Sequence, residues 1–282
     1  MSENTGKTSV INETTVSSYS LNCANVYDDP SNINFVYGQL TTEFLKEIIF
    51  KPEDKTVLDI GCGTGLAFDV LKDKFESLDM KGIGIDPAEG MLKLGIKKFK
   101  GNQRFTFLQG SFENSPVEDK SIDHVISTLA LHWATSLEKA VKEMYRLLKP
   151  GGSIDILMIA KDDGARFKLP VVEAMKKHLS FAQILKAASL AIRVDANQLR
   201  TAFEEHYGDN YIIEVRNPKK IIYGSFEEHM KWWTARSSAI IADVQDKDSF
   251  FRDLKEEFTK IKDAKGIPFD LSCLFLSVKQ EA

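Results

Sequence analysis

Between residues 56 and 160, short apolar runs alternate with stretches whose apolar positions recur every three or four residues. The short runs read as buried strands and the 3.6-residue spacing as helices. Strands are expected over 57–60, 82–86, 105–109, 122–127 and 153–160. An amphipathic helix over 34–49 precedes the first of them. The helical run after the fourth ends Tyr145-Arg-Leu-Leu-Lys-Pro-Gly-Gly152, a helix stopped by proline and glycine before the next strand. Strands and helices in alternation argue for a parallel sheet. Beyond Ala160 the pattern changes. Residues 168–192 and 195–206 are helical in spacing with no strand between them, and 211–215 and 220–223 return as short strands. Helices over 225–241 and 247–263 then precede a final strand over 268–278.

This pattern divides the chain into a polar tail (1–17, rich in Ser, Thr and Asn and expected to be disordered), a lid and helix (18–55), an α/β core (56–160), a helical insertion (161–210) and a closing segment (211–282). At 282 residues the chain suits one α/β core with an insertion. A formal charge of -4 with no dense Lys/Arg stripe argues against nucleic acid as a partner. Cys23, Cys62 and Cys273 lack metal-ligand spacing, so neither a zinc site nor a disulfide framework is expected, and no metal is required. The N-terminus has no apolar signal region, and no run is long enough to cross a bilayer. The expectation is a soluble cytoplasmic protein without a membrane partner. Its oligomeric state is not legible.

The most informative stretch is Val57-Leu-Asp-Ile-Gly-Cys-Gly-Thr-Gly65. A buried strand runs into a turn with glycines at alternate positions. Glycines there allow positive φ and let a ligand lie against the backbone, and the next helix directs its first N–H groups into the same crevice. Asp59 is a carboxylate at the end of an apolar strand. Together these features describe a small-molecule site at the carboxyl edge of a parallel sheet. A dinucleotide fingerprint would need G-x-G-x-x-G. Here Gly61, Gly63 and Gly65 are spaced G-x-G-x-G, and Leu66 stands where the last glycine would fall.

That spacing resembles the first motif of class I S-adenosylmethionine (SAM)-dependent methyltransferases, and the resemblance extends over residues 56–160. It implies a Rossmann-like, seven-stranded, mostly parallel sheet with helices on both faces and a helical cap after the fifth strand. The last strand would insert antiparallel between its neighbours. SAM would be the co-substrate and S-adenosylhomocysteine the product. Besides Asp59 and the three glycines, the resemblance implies that Asp86 binds the ribose hydroxyls, with Pro87 and Met91 following it. Ser111 stands where the family commonly has an acid for the adenine amino group, so Phe112 and the neighbouring backbone would carry more of that recognition. Ser127, ending the fourth strand, is grouped with these cofactor residues.

For catalysis the candidate is His132, as general base or substrate-orienting donor, with Trp133 beside it; packing against the next helix is the alternative. The Leu-His-Trp tripeptide is similar to that of juvenile hormone acid methyltransferases, and trans-aconitate methyltransferases carry a related one. Both relatives methylate carboxylates. Tyr27, Phe35, Tyr37, Trp133 and Trp232 are candidate acceptor contacts. Arg236, a turn beyond Trp232, is a candidate carboxylate ligand. The implied activity is methyl transfer to a small molecule, with an oxygen nucleophile, carboxylate or hydroxyl, favoured by the resemblance. Nitrogen or carbon acceptors, and a non-catalytic SAM-binding role, remain open at this point.

Overall fold

A computed structural model describes residues 35–280, apart from the side chain of Ser238. Tyr27, Cys23, the tail and most of the expected lid lie outside the described residues. The first helix, α1 (Gly38–Glu47), leads into β1 (Thr56–Ile60). The core then runs α2 (Leu66–Val70), α3 (Lys72–Ser77), β2 (Lys81–Asp86), α4 (Glu89–Lys98), β3 (Phe105–Gln109), β4 (Ile122–Thr128), α5 (Leu137–Leu147) and β5 (Leu148–Ile159). Next come α6 (Ala165–His178), α7 (Phe181–Ala188), α8 (Ala196–Tyr207), β6 (Tyr211–Arg216) and β7 (Lys219–Gly224). The chain closes with α9 (Phe226–Thr234), α10 (Ser238–Ala242), α11 (Lys247–Thr259) and β8 (Ile267–Gln280).

The eight strands form one sheet in the order β3-β2-β1-β4-β5-β8-β6, with β7 also on β8. Strands β1 to β5 are parallel; β8 is antiparallel to β5, β6 and β7. The count exceeds the expected seven because β8 is 14 residues long. Its first half pairs with β7 and its second half with β6.

Side chains alternate across the sheet. Val57 enters the apolar layer with α1, α2, α6 and α11, while Leu58 enters the layer with α5 and α8. Covered on both faces, such strands read as nearly continuous apolar runs. On α5, Ala140, Val141, Met144 and Leu147 make the buried stripe, and Ser136 caps the helix by accepting the Lys139 N–H. Each fully buried Phe or Leu of these layers contributes roughly 1.5–3 kcal/mol.

Three elements differ from expectation. Residues 149–152 do not stand between helix and strand; they belong to β5, which starts at Leu148 opposite Ile122 and shifts register before Ser153. Gly151, at φ +82°, makes that irregularity possible. The helix expected over 225–241 is two, because i→i+3 bonds from Arg236 N–H to Trp233 O and from Ser237 N–H to Thr234 O break the ladder. Helix α11 ends at Thr259. In the insertion, α6 packs on α11 and β8, and α8 lies against α5 and β6, so α8 flanks the sheet.

Candidate active site

The strand order reverses between β1 and β4, and there the carboxyl ends of the parallel strands open a crevice. Gly61, Gly63 and Gly65 all have positive φ, at +73°, +53° and +82°. The turn is tied to β2, whose Ile85 carbonyl accepts the N–H groups of Gly61 and Cys62. The glycines do different work. A Cβ on Gly61 would sit 2.2 Å from the Cβ of Ala130, so this glycine lets two loops close on each other. A Cβ on Gly63 would meet nothing within 4 Å, so its open side faces the crevice. Cys62 is buried, and its sulfur packs where a Cβ on Gly84 would fall; it fills space.

Asp86 holds the turn from the other side. One carboxylate oxygen accepts the Gly63 N–H at 2.9 Å and the other the Ala88 N–H at 2.8 Å. A carboxylate offers about four lone-pair sites, so it retains capacity for a ligand's hydroxyls. Burial pushes Asp86 up to about 6, with the two backbone bonds pulling it back. Burial and then the neighbouring Asp86 push Asp59 up to about 8, and Asp59 Oδ1 is buried with no hydrogen-bond partner. An orphaned buried carboxyl beside an open glycine turn fits a ligand carrying hydrogen-bond donors and positive charge.

The described crevice, about 560 Å³, is lined by the glycine turn, Tyr37, Thr41, Thr128, Leu129 and Arg236. Arg236 therefore shares the crevice with the glycine turn; its guanidinium lies over the Trp232 ring at 5.4 Å and donates to the Trp232 carbonyl. Leu129 is a non-glycine residue at φ +53°, held there as its N–H bonds the Leu157 carbonyl at 2.7 Å. Such strain collects at functional turns.

The other expected residues fall into two groups. Met91 is buried in the first turn of α4, and Pro87, half-buried, accepts a bond from the Gln109 side chain. Phe112 is buried beside Gly61. Ser111 meets Glu113 through its hydroxyl. Ser127 is different: fully buried, it donates its hydroxyl to the Ile60 carbonyl at 2.8 Å, tying β4 to β1 instead of facing the crevice. Trp232 is buried among Tyr37, Phe167 and Phe269, where it supports Tyr37 from behind. Phe35 packs edge-on to His229. Trp133 is half-buried beside His132.

His132 sits in a 3₁₀ turn, Leu131–Trp133, 4% exposed, with Nδ1 unpartnered. Burial, and then the charge of Arg193, hold its imidazole well below the ordinary histidine range, so it is neutral. The neutral ring offers one hydrogen-bond donor and one acceptor to a neighbouring group, at lowered basicity.

Several residues at the site were missed from sequence. Glu113 accepts from Thr135 N–H and hydroxyl and from Ser136 N–H, joining the loops after β3 and β4. Asp163 accepts the Tyr37 hydroxyl at 2.5 Å. Arg193 and Lys168 stand nearby, each coupled to Asp163. An acid four residues beyond β5, at the sheet's carboxyl edge, was the available signal for Asp163; its partner lies 126 positions away.

Comparison with known proteins supplies an independent view. Residues 58–156 match a family model described as a methyltransferase domain. A malonyl-[acyl-carrier protein] O-methyltransferase of Methylococcus capsulatus is 29% identical over 161 residues, covering 54% of this chain and 58% of that protein. A demethylmenaquinone methyltransferase of Symbiobacterium thermophilum is 33% identical over 122 residues, covering 42% of this chain and 48% of that protein. The chain thus spans about half the length of these curated relatives. The solved structure of a putative methyltransferase from Bacillus halodurans has a TM-score of 0.58 at 17% identity, covering 87% of this chain and 100% of that one, which is a likeness of fold. Among the described residues no helix is long and apolar enough to cross a membrane.

Proposed function

We propose, from the premise that this chain carries a class I SAM-dependent methyltransferase domain, that it transfers the methyl group of SAM to an oxygen of a small-molecule acceptor. SAM supplies a methyl on a sulfonium, displaced in line by a nucleophile. The protein's share is to hold the two reactants and exclude water, which is worth up to about 7–11 kcal/mol of barrier when orientation is tight. Asp86 would take the ribose hydroxyls on its remaining lone pairs, and the open side of Gly63 admits the ligand to the backbone. Asp59 offers an unpartnered oxygen to donors or positive charge. Arg236, beside the glycine turn, would meet an anionic group.

The observation that supports the oxygen assignment is the pair of arginines at the site, Arg236 lining the crevice and Arg193 acting on His132, which favour an acceptor that is already anionic. A neutral phenol or a protonated amine must lose a proton to become a good nucleophile, and a positioned base gives such reactions roughly a hundredfold or more. Burial and Arg193 lower the basicity of His132, which weakens it for that task. An acceptor already ionised at neutral pH needs no base, and a carboxylate is such an acceptor. Relatives of both kinds, an O-methyltransferase and a quinone methyltransferase, share the core, so the acceptor atom rests on the side chains at this site.

The test is incubation of the full chain with methyl-labelled SAM and matched panels of carboxylic acids, phenols and amines. Base-labile label on an acid is the expected result. Label on amines alone would overturn the oxygen assignment, and tight SAM binding without transfer to any panel would overturn the catalytic reading.

A further inference from the structure

Around the Tyr37 hydroxyl and its partner Asp163 lies a polar cluster to which the cofactor reading assigns no role. The segment 192–194 bridges the ends of two strands. The Ile192 N–H bonds the His132 carbonyl at 2.7 Å, and the Val194 carbonyl accepts the Lys161 N–H at 2.9 Å. Arg193 is pinned between these two bonds. Its Nη1 is buried and has no hydrogen-bond partner. Lys168, on α6, is half-buried beside it.

Asp163 is a carboxylate that interacts with both cations, and its oxygens are already engaged. Oδ2 takes the Tyr37 hydroxyl at 2.5 Å and Oδ1 the Ser272 N–H at 2.9 Å. Asp162 is held by Lys219 and the Ser272 hydroxyl. His132 is neutral, and so is Tyr37, whose hydroxyl burial and Asp163 push far above its ordinary range. With Asp162 and its partner Lys219 included, three cations face two carboxylates, an excess of one positive charge. Burial, then repulsion from Arg193, bring Lys168 down to about 8 against the opposing pull of Asp163 and Asp162. Leaving a buried guanidinium nitrogen unpaired costs free energy that a folded protein ordinarily avoids. Such a cost is tolerated at sites where a ligand completes the arrangement.

We infer that Arg193, assisted by Lys168, binds a carboxylate of the methyl acceptor, so that the acceptor is an organic acid. This deepens the methyl-transfer reading of the crevice and rests on it. One monoanion completes the charge balance of the cluster. The planar fork of arginine accommodates both carboxylate oxygens. His132, neutral and with Nδ1 unpartnered, stands next to the same anion as a hydrogen-bonding group.

The experiment uses the full chain saturated with S-adenosylhomocysteine, titrated with straight-chain and aromatic monocarboxylic acids and with the primary amide of each. Wild type and Arg193→Gln are compared by calorimetry and thermal melting. At least one acid binds the wild type tenfold or more tighter than its amide, and Arg193→Gln removes that preference while its affinity for S-adenosylhomocysteine is unchanged. Without acid, the variant melts at or above the wild-type temperature, because an uncompensated charge has been removed; a structural cation would give a lower one. Acids that bind no better than amides, or a preference that survives in the variant, would overturn the inference. Failure of the wild type to bind S-adenosylhomocysteine at all would instead remove the methyl-transfer reading.

Discussion

Asp86 grips Gly63: the carboxylate at the end of β2 accepts the N–H of the middle glycine at 2.9 Å, fixing the turn that follows β1. Its second oxygen takes the Ala88 N–H, so one side chain sets both walls of the crevice. The glycine turn is thus held from the strand beside it before any ligand arrives, which spares binding the cost of ordering it.

The three glycines should not respond alike to alanine. At Gly61 the added methyl collides with Ala130 at 2.2 Å and the backbone sits at positive φ. Gly61→Ala is expected to lose about 2–4 kcal/mol of stability. Gly63→Ala meets no neighbour and bears only the left-handed strain, about 1–2 kcal/mol. It should fold, melting within several degrees of wild type, yet bind SAM at least tenfold more weakly. Melting curves paired with calorimetry separate the two effects; wild-type affinity in Gly63→Ala would show that its open side does not face the ligand.

Binding should release protons. Burial and Asp86 raise Asp59 to about 8, and burial raises Asp86 to about 6, against an ordinary value near 3.9. In the free protein the stability linked to Asp59 is fully present below its unfolded value and is lost as pH rises through about 8. A cationic ligand next to both acids favours their ionised forms. Titrations at pH 7 in buffers of different ionisation enthalpy should show net proton release with SAM, diminished in Asp59→Asn. Heats independent of the buffer would contradict this.

A second histidine governs stability at the opposite end of β4. His124 is fully buried, with Nε2 2.8 Å from Asp155 and Nδ1 3.7 Å from Asp54. Burial works against its protonation, but the bond to Asp155 and the nearby carboxylate of Asp54 win and raise it above the ordinary value. The stabilisation is complete below the unfolded value near 6.5 and disappears as pH rises through the folded one. Breaking such a buried pair costs about 3–5 kcal/mol. Denaturation of wild type and His124→Gln between pH 5 and 9 should show a gap of that order at low pH that narrows with rising pH. A constant gap would exclude the linkage.

Much of the core was legible because each strand carries its own pattern. Residues 105–109 form β3 as read, and Asp86 ends β2 as read. The break between α9 and α10 was not legible, since nothing local in Trp-Thr-Ala-Arg-Ser forbids a helix; the i→i+3 bonds there are a product of packing. At the site, the glycines and acids of β1 and β2 were found because they sit in one loop or at one strand end. Arg193 was not, because its place is set by two backbone bonds to segments distant in sequence. His132 was singled out by position, but its lowered basicity depends on burial and on that same arginine, neither of which local spacing reveals.

The central claim is that the alternating-glycine turn and its two acids bind SAM, and isothermal calorimetry tests it most directly. Folded wild-type protein should give saturable one-to-one heats with both SAM and S-adenosylhomocysteine, and Asp86→Asn should weaken both at least tenfold. Absence of heat with either ligand from protein with a cooperative melting transition would contradict the account.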